Sequence, residues 1–205
     1  MKEAVPLSRY IVFFSLTAAG CAADLATKTW MFAQLGMPDP RREPSWIWKD
    51  LFGLQTSLNE GALFGVGEGL WPLFAALSMG AAVAIFVWLF AAGAARDWLL
   101  TIALACVTAG IFGNLYDRLG LPGLIWTDNY RGHLPGQSVH AVRDFLLVMI
   151  GRWPWPTFNL ADSSLVCGAG LLLCHAFLMK GEAERATAEG EEPKPEREEA
   201  SGSRQ

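Results

Sequence analysis

Carboxyl and amide side chains are scarce in the apolar parts of this sequence, and those present lie near the ends of apolar segments. Two carboxyl groups that share a site cannot both ionise cheaply, so one of them keeps a proton. Such a pair can deprotonate a water molecule while it protonates a leaving group, which makes acid–base chemistry the first expectation. The carboxyl and amide residues at segment ends are Asp24, Asn114, Asp117, Asn159 and Asp162, with the basic residues Lys28 and Arg118 near them, and the connections between segments add Asn59 and Asp144.

No motif indicates a different nucleophile. The sequence contains no Gly-x-Ser-x-Gly turn, no phosphate-binding loop and no His-Glu-x-x-His pair. Ser163 and Ser164 follow Asp162 at a predicted helix start, where we expect their hydroxyls to satisfy free backbone N–H groups. Water is therefore the expected nucleophile.

Neither a metal nor an organic cofactor is expected. His133 and His140, with Asp128 and Asp144 around them, fit no metal-ligand spacing that we can justify. The segment that holds both histidines, residues 121–142, is rich in Gly and Pro, as is typical of a surface loop. The four cysteines lie in apolar runs without paired spacing, which predicts small buried hydrophobic side chains.

Four apolar segments must position these groups. A membrane-spanning helix needs about 20 mostly apolar residues, and the segments at about 10–32, 69–95, 98–116 and 162–179 meet or approach this length. Pro72 suits the first turn of the second helix, and Asp97 is placed as an N-cap of the third. The short connection around Arg96 predicts an antiparallel hairpin.

The order of the spans brings the polar residues to one membrane face. Consecutive spans alternate in direction, so the ends of the first and third spans meet the start of the fourth. The long connections, residues 33–68 and 117–161, emerge at the same face and hold Asn59 and Asp144. Basic residues at Lys2 and Arg9 favour a cytoplasmic N-terminus. Both termini are then expected in the cytoplasm, and the polar cluster faces outward.

Composition excludes several functional classes. The chain has 205 residues, of which 52% are hydrophobic and 18% charged. The segment from Lys180 to Gln205 has five basic and eight acidic residues and holds three of the four net negative charges. We expect a membrane domain at residues 1–179 and a disordered acidic cytoplasmic tail at 180–205. The nearly neutral remainder argues against a nucleic-acid binder.

Five short blocks, spread from the first span to the fourth, follow the order of one known family. They are Asp24-Leu-Ala-Thr-Lys28, Asn59-Glu-Gly-Ala-Leu-Phe-Gly65, Gly113-Asn-Leu-Tyr-Asp-Arg118, Val142-Arg-Asp-Phe145 and Phe158-Asn-Leu-Ala-Asp-Ser163. With these blocks the chain resembles the lipoprotein signal peptidases (signal peptidase II), four-span aspartic peptidases of the bacterial inner membrane.

The resemblance implies cleavage of prolipoproteins just before a cysteine that carries a diacylglyceryl group. It implies that Asp144 and Asp162 form the catalytic dyad and that the site faces the periplasm. It also implies a small periplasmic β-cradle, to which residues 47–58 contribute. From the sequence itself we further expect a long third loop and a monomer among membrane lipids. The residues that the resemblance assigns to substrate binding or structural support are Asp24, Lys28, Asn59, Gly61, Asn114, Asp117, Arg118 and Asn159.

Three details of the site follow from local sequence. Asp117 adjoins Arg118, so we expect a salt bridge between them that keeps Asp117 ionised. A helix N-terminus favours the anion of Asp162, which leaves Asp144, in an apolar run, to hold the proton. Arg143 replaces the aliphatic residue usual in the family. Alternation along an extended segment is expected to aim it away from the site.

The loop from Leu119 to Arg143 is longer than the family's usual link, and we expect it to form either an added lid or a periplasmic contact. Two other functional classes are compatible with the composition. A small ion or proton carrier using membrane carboxylates would distribute polar groups through the membrane depth, whereas here they cluster at one face. A non-enzymatic assembly factor with the same fold would have no need of both Asp144 and Asp162.

Overall fold

The computed structural model describes residues 4–61, 66–127 and 132–190. This part of the chain contains four long helices: α1 (Leu7–Leu35), α2 (Trp71–Phe86), α3 (Trp98–Arg118) and α4 (Leu160–Gly190). A π-helical turn, Val87–Ala91, extends α2. All four are long and apolar enough to cross a membrane, so the mainly α fold with four predicted spans is confirmed.

The helix ends follow local sequence. Pro72 lies in the first turn of α2, where its missing N–H costs nothing. Asp97 caps α3, because its Oδ1 accepts a hydrogen bond from the Leu100 N–H at 2.8 Å. A 3-10 turn, Ala94–Arg96, closes the short connection from α2. The prediction of a tight antiparallel hairpin between the second and third helices is therefore confirmed.

Helix α4 crosses the predicted boundary between the membrane domain and the acidic tail, and that division of the chain stays a prediction. Helix α4 does not end at Met179 but continues to Gly190. The added segment is rich in Ala, Glu, Lys and Arg, which have high intrinsic helix propensity, so it extends an already nucleated helix at little cost. The rest of the predicted tail, residues 191–205, lies outside the described residues.

A four-stranded antiparallel sheet lies at the end of the bundle where α1 and α3 end and α4 begins. Its strands are β1 (Ser45–Trp48), β2 (Phe52–Asn59), β3 (Val142–Ile150) and β4 (Trp153–Pro154), paired in that order. The prediction that residues 47–58 contribute to a small sheet is confirmed. Beyond β4, Phe158 pairs with Leu146 of β3 through backbone hydrogen bonds of 2.8 and 3.1 Å. This pairing brings the start of α4 beside β3.

The third loop, which connects α3 to β3, is packed against other elements, whereas its composition predicted an ordinary surface loop. Its two arms pair around Ile125 and Ser138, and the Trp126 N–H donates to the Gln137 carbonyl at 2.9 Å. Trp126 and Val139 are buried in a hydrophobic cluster with Phe32 of α1 and Leu58 of β2. The loop is thus anchored against α1 and β2 by apolar burial.

The cysteine prediction holds only in part. All four cysteines are free thiols, but only Cys21 and Cys106 are partly buried, whereas Cys167 and Cys174 are exposed on α4. An outward-facing thiol on a membrane helix meets lipid rather than water, so burial within the protein is not required of an apolar residue there.

Candidate active site

Asp144 and Asp162 come from different elements and are linked through one asparagine. Asp144 lies in β3 opposite Ser57 of β2 and is only 1% exposed. Asp162 lies in the first turn of α4 and is half-buried. The side-chain amide of Asn159 donates to Asp144 Oδ1 at 2.6 Å. The Asn159 backbone N–H donates to Asp162 Oδ2 at 3.2 Å.

Asn159 and Asp162 form a reciprocal cap at the start of α4. The Asp162 N–H donates to Asn159 Oδ1 at 2.9 Å, while Asp162 accepts the Asn159 N–H in return. This arrangement satisfies two N–H groups that a helix start leaves free. Because its carboxylate caps the helix, the orientation of Asp162 is fixed by the backbone of α4.

Asn114 of α3 holds the other oxygen of Asp162. Its amide nitrogen donates to Asp162 Oδ1 at 2.8 Å. Its amide oxygen accepts hydrogen bonds from Asn159 Nδ2 at 3.2 Å and Lys28 Nζ at 3.0 Å. The two asparagines thus connect both carboxyl groups to the helices beneath them.

A buried cluster of four charges lies below the two asparagines. Lys28 Nζ is 2.7 Å from Asp24 Oδ2 and 3.1 Å from Asp117 Oδ2. Arg143 Nε is 2.8 Å from Asp117 Oδ1. Asp24, Lys28 and Asp117 are fully buried and Arg143 is 3% exposed. Two cations and two anions leave the cluster without net charge, as burial in a medium of low dielectric constant requires.

The expected salt bridge between Asp117 and Arg118 was wrong. Asp117 pairs with Lys28 and Arg143 instead, because neighbouring residues on a helix point about 100° apart and only one of these two faces the bundle interior. Arg143 projects from β3 into this cluster, and adjacent residues of a strand point to opposite faces. The prediction that Arg143 does not share the face of Asp144 agrees with this arrangement.

Asp24 also fixes the position of α4. Its Oδ1 accepts the Ala161 N–H at 2.8 Å, so the second residue of α4 is capped from α1. The approach requires a residue without a side chain on α3, because a Cβ at Gly113 would overlap Asp24 Oδ2 and lie 3.0 Å from the Ala161 Cβ. Gly113 therefore sets how closely α1, α3 and α4 meet under the site.

We expect Gly113→Ala to lower the free energy of unfolding by about 1–3 kcal/mol, because overpacking in a filled interior forces neighbouring groups to shift. The measurement is thermal or denaturant unfolding of the purified protein in detergent. Gly80→Ala on α2 is the matched control, since a Cβ there meets no atom within 4 Å, and it should be neutral or stabilising. Equal behaviour of the two variants would contradict the packing role of Gly113.

Arg118 lies beside the dyad but is held by the loop after β2. Its Nη2 donates to the Gly61 carbonyl at 3.1 Å. Asn59 shapes this loop by accepting the Gly61 N–H at 3.1 Å. The buried Nε of Arg118 has no hydrogen-bond partner among the described residues. Within the described part of the chain this guanidinium N–H is therefore an unsatisfied buried donor.

The two carboxyl groups have different surroundings. Burial raises the pKa of Asp144 well above its usual range, and the nearby negative charge of Asp162 raises it further. The hydrogen bond from Asn159 opposes this shift without cancelling it. The surroundings of Asp144 therefore favour its protonated form, whereas Asp162 lies in the first turn of α4.

The remaining candidates have other partners. His133 Nε2 is 2.7 Å from Glu60 Oε2, and His140 Nδ1 is 3.0 Å from the Arg118 carbonyl oxygen. The described residues contain no group of three or more His, Cys, Asp or Glu able to hold a metal ion. Asp128 and the Ala62–Gly65 part of the second block lie outside them.

The predicted role of Ser163 and Ser164 was wrong. Their hydroxyls donate to the carbonyl oxygens of Asn159 and Leu160, one turn back along α4, instead of accepting free N–H groups. The side chains of Asp24 and Asn159 already take the N–H groups of that turn. Both hydroxyls are thus engaged within their own helix.

Two ion-pair contacts in and near the site were not predicted from the sequence. Nothing in the local sequence pairs Arg143 with Asp117, although a buried arginine directly before a site carboxyl needs a nearby anion. The contact between Glu60 and His133 joins residues more than 70 positions apart, and only the placement of the third loop creates it. A search for charged residues without an evident partner in otherwise apolar blocks would have identified Arg143 and Glu60.

Comparison with known proteins decides the family. A family model described as signal peptidase (SPase) II matches residues 16–178. The chain belongs to the signal peptidase II family. The sequence resemblance is therefore confirmed, and the family assignment makes the protein a membrane protease of the lipoprotein signal peptidase type.

Individual members of the signal peptidase II family support the assignment. The lipoprotein signal peptidase of Rhodopirellula baltica is 46% identical over 175 residues, which cover 85% of this chain and 75% of the relative. That of Pseudomonas aeruginosa is 37% identical over 143 residues, covering 67% and 73%. A solved bacterial membrane enzyme matches the fold with a TM-score of 0.64 and 20% identity, covering 88% of this chain and 94% of its own.

Proposed function

We propose that this protein is an aspartic endopeptidase that removes signal peptides from prolipoproteins, cleaving before a cysteine that carries a diacylglyceryl group. Asp144 and Asp162 activate the attacking water. The enzyme needs neither a metal nor an organic cofactor, and it works as a monomer in the bacterial inner membrane. Both termini are cytoplasmic, and the site lies toward the periplasmic face.

One observation carries this proposal: Asn159 binds both carboxyl groups while Asn114 holds Asp162 from the opposite side. Amide donors of this kind fix carboxyl orientation without adding a charge that would trap either group in an ion pair. Among the described cations close by, Lys28 and Arg143 are paired with Asp24 and Asp117, and Arg118 is held by the Gly61 carbonyl. The dyad is thus free to exchange protons with substrate and water.

The proton transfers follow from the assigned states. The ionised Asp162 takes a proton from water as the water oxygen bonds to the scissile carbonyl carbon. Asp144 gives its proton to the carbonyl oxygen. In the second step Asp162 returns a proton to the peptide nitrogen, the C–N bond breaks, and the new carboxyl group restores the proton of Asp144. The sum is one peptide bond and one water converted to an acid and an amine.

Arg118 is proposed to position the substrate. Its Nη2 is anchored at Gly61 while its Nε has no partner among the described residues, so a donor can meet a substrate carbonyl. Charge-assisted hydrogen bonds of this type are stronger than neutral ones. The signal peptide would enter between the helices, with the acyl chains of the substrate remaining in the bilayer.

The test uses the full chain reconstituted in detergent or nanodiscs with a prolipoprotein that carries the diacylglyceryl group. Mass spectrometry should show one new C-terminus directly before the modified cysteine. The same prolipoprotein without the lipid is the matched control and should be cleaved far more slowly. Cleavage elsewhere, equal rates for the two substrates, or no cleavage of either would contradict the proposed function.

The state of Asp144 predicts the pH dependence of cleavage. Because burial raises the pKa of Asp144, its active protonated form persists to higher pH than an ordinary carboxyl group allows. We expect kcat/KM to fall as the pH rises through the raised pKa of Asp144. The measurement is a pH series with intact fold checked at each point. A rate that still rises across the alkaline range would contradict a protonated Asp144.

A further inference from the structure

A cavity lies near Arg118, because His140 in its wall has Nδ1 3.0 Å from the Arg118 carbonyl oxygen. Its volume is about 470 Å³, within the range of about 300–1,000 Å³ typical of ligand pockets. It opens between the start of α2 and the third loop. The side chains that define it are Glu60, Trp71, Trp126, His133, Gln137 and His140.

Two stacked ring pairs form the walls of this cavity, which we call the outer pocket. The rings of Trp71 and His140 are 4.1 Å apart and tilted by 9°. Those of Trp126 and His133 are 4.6 Å apart and tilted by 5°. The carboxyl group of Glu60 bonds to His133 at 2.7 Å and keeps 10% of its side-chain surface exposed. No Lys or Arg is among the described residues that line the pocket.

The outer pocket is linked to the dyad by short connections. The carbonyl oxygen of Arg118 is 3.0 Å from His140 Nδ1. The guanidinium of Arg118 donates to the carbonyl of Gly61, the residue after Glu60. His140 precedes Asp144 by four residues, a separation of at most about 14 Å for an extended chain. A substrate that leaves the dyad in extended form reaches the pocket within about four residues.

The position of the outer pocket indicates which part of the substrate binds there. The pocket lies at the end of the bundle that holds the sheet, beside the first residue of α2 and the last residue of α3. A signal peptide lies among the apolar helices, so the polar chain beyond the cleaved bond must leave toward this end. Gln137 and Glu60 give the pocket polar walls suited to such a chain.

We propose that the outer pocket binds the second to fourth residues after the cleaved bond and favours basic over acidic side chains there. This inference rests on the proposed function and adds a preference on the mature side of the substrate. Trp71 is only half-buried, and tryptophan rings attract cations through their electron-rich faces. The carboxyl group of Glu60 attracts a basic residue and repels an acidic one.

Two lipid-modified prolipoproteins test the proposal, identical except for Lys or Glu at the second to fourth positions after the bond. We expect the parent enzyme to cleave the Lys substrate with a kcat/KM about five- to tenfold higher. A second substrate pair carries the same exchange about a dozen residues downstream, beyond reach of the pocket, and should give a ratio near one. Equal rates for the first pair would overturn the inference.

Two variants test whether Glu60 causes the preference for Lys over Glu substrates. Glu60→Gln retains a hydrogen-bonding group for His133 but removes the charge, so the Lys-to-Glu ratio should fall to about two or less. Glu43→Gln, which removes an exposed carboxylate from the segment before β1, should leave the ratio unchanged. A ratio that survives Glu60→Gln would overturn the assignment. If the parent cleaves no lipid-modified substrate at all, the proposed function fails rather than the pocket preference.

Discussion

Asp144→Asn and Asp162→Asn should each lower the rate of prolipoprotein cleavage by about 10³-fold or more. General acid–base catalysis by one positioned group contributes about 10²–10⁴-fold, and two groups that act as a unit lose nearly all of it together. Asparagine keeps the size of the side chain but can neither take a proton from water nor supply one to the carbonyl oxygen. The measurement is single-turnover cleavage with enzyme in excess over a diacylglyceryl-modified substrate.

Folding must be separated from chemistry in that comparison. Asp162 caps α4 and accepts two hydrogen bonds, so its replacement carries some structural cost, whereas Asp144 accepts one from Asn159. Asp50→Asn, at an exposed carboxyl in the turn between β1 and β2, is the matched control and should retain full activity. If a folded Asp144→Asn or Asp162→Asn enzyme cleaved at a near-parental rate, the dyad assignment would fail.

Lys28→Met should destabilise the protein by about 3–5 kcal/mol, since removing one partner of a buried ion pair leaves an uncompensated charge. Lys28 is fully buried and contacts Asp24, Asp117 and Asn114 at 2.7, 3.1 and 3.0 Å. Its loss leaves the cluster with two anions and one cation. The measurement is the unfolding midpoint in detergent, together with the fraction of protein that is recovered folded.

A double variant distinguishes charge balance from lost packing. Asp24→Asn with Lys28→Met removes one charge of each sign and should recover part of the stability lost by Lys28→Met alone. Lys49→Met, at an exposed position between β1 and β2, controls for loss of a surface cation and should change stability by less than about 0.5 kcal/mol. A Lys28→Met protein as stable as the parent would show that the buried cluster does not hold the site together.

Much of the fold could be predicted because the membrane imposes a simple rule. Uninterrupted apolar runs of about 20 residues mark spanning helices, and Asp97 and Pro72 mark helix starts through local backbone chemistry. The end of α4 could not be read in this way. Beyond Met179 the residues suit a solvated chain and a helix equally, and an existing helix continues through them.

The grouping of the site could be predicted from topology, but its pairings could not. Alternating spans bring Asn114, Asn159 and Asp162 to one end of the bundle, and the structure confirms this proximity through their hydrogen bonds. The partners of Asp117 depend on helix rotation and on the register of β3, neither of which local sequence specifies. The adjacent Arg118 was the wrong partner for that reason.

The third loop marks another limit of sequence reasoning. Gly and Pro residues predicted an irregular loop, and its backbone is irregular in large part. Burial of Trp126 and Val139 depends on apolar surface supplied by Phe32 and Leu58, which are remote in sequence. The cavity between this loop and α2 has the same origin, since His133 and Glu60 meet only after the loop has packed.

The two carboxyl groups are proposed to activate a water molecule rather than a nucleophilic enzyme side chain, and isotope labelling distinguishes these two mechanisms. A single turnover in ¹⁸O-labelled water, with hydroxylamine present, is followed by mass spectrometry of the released signal peptide. We expect one ¹⁸O atom in the new C-terminal carboxyl group and no hydroxamate product. An unlabelled first-turnover product, or a hydroxamate formed by capture of an acyl-enzyme, would contradict it.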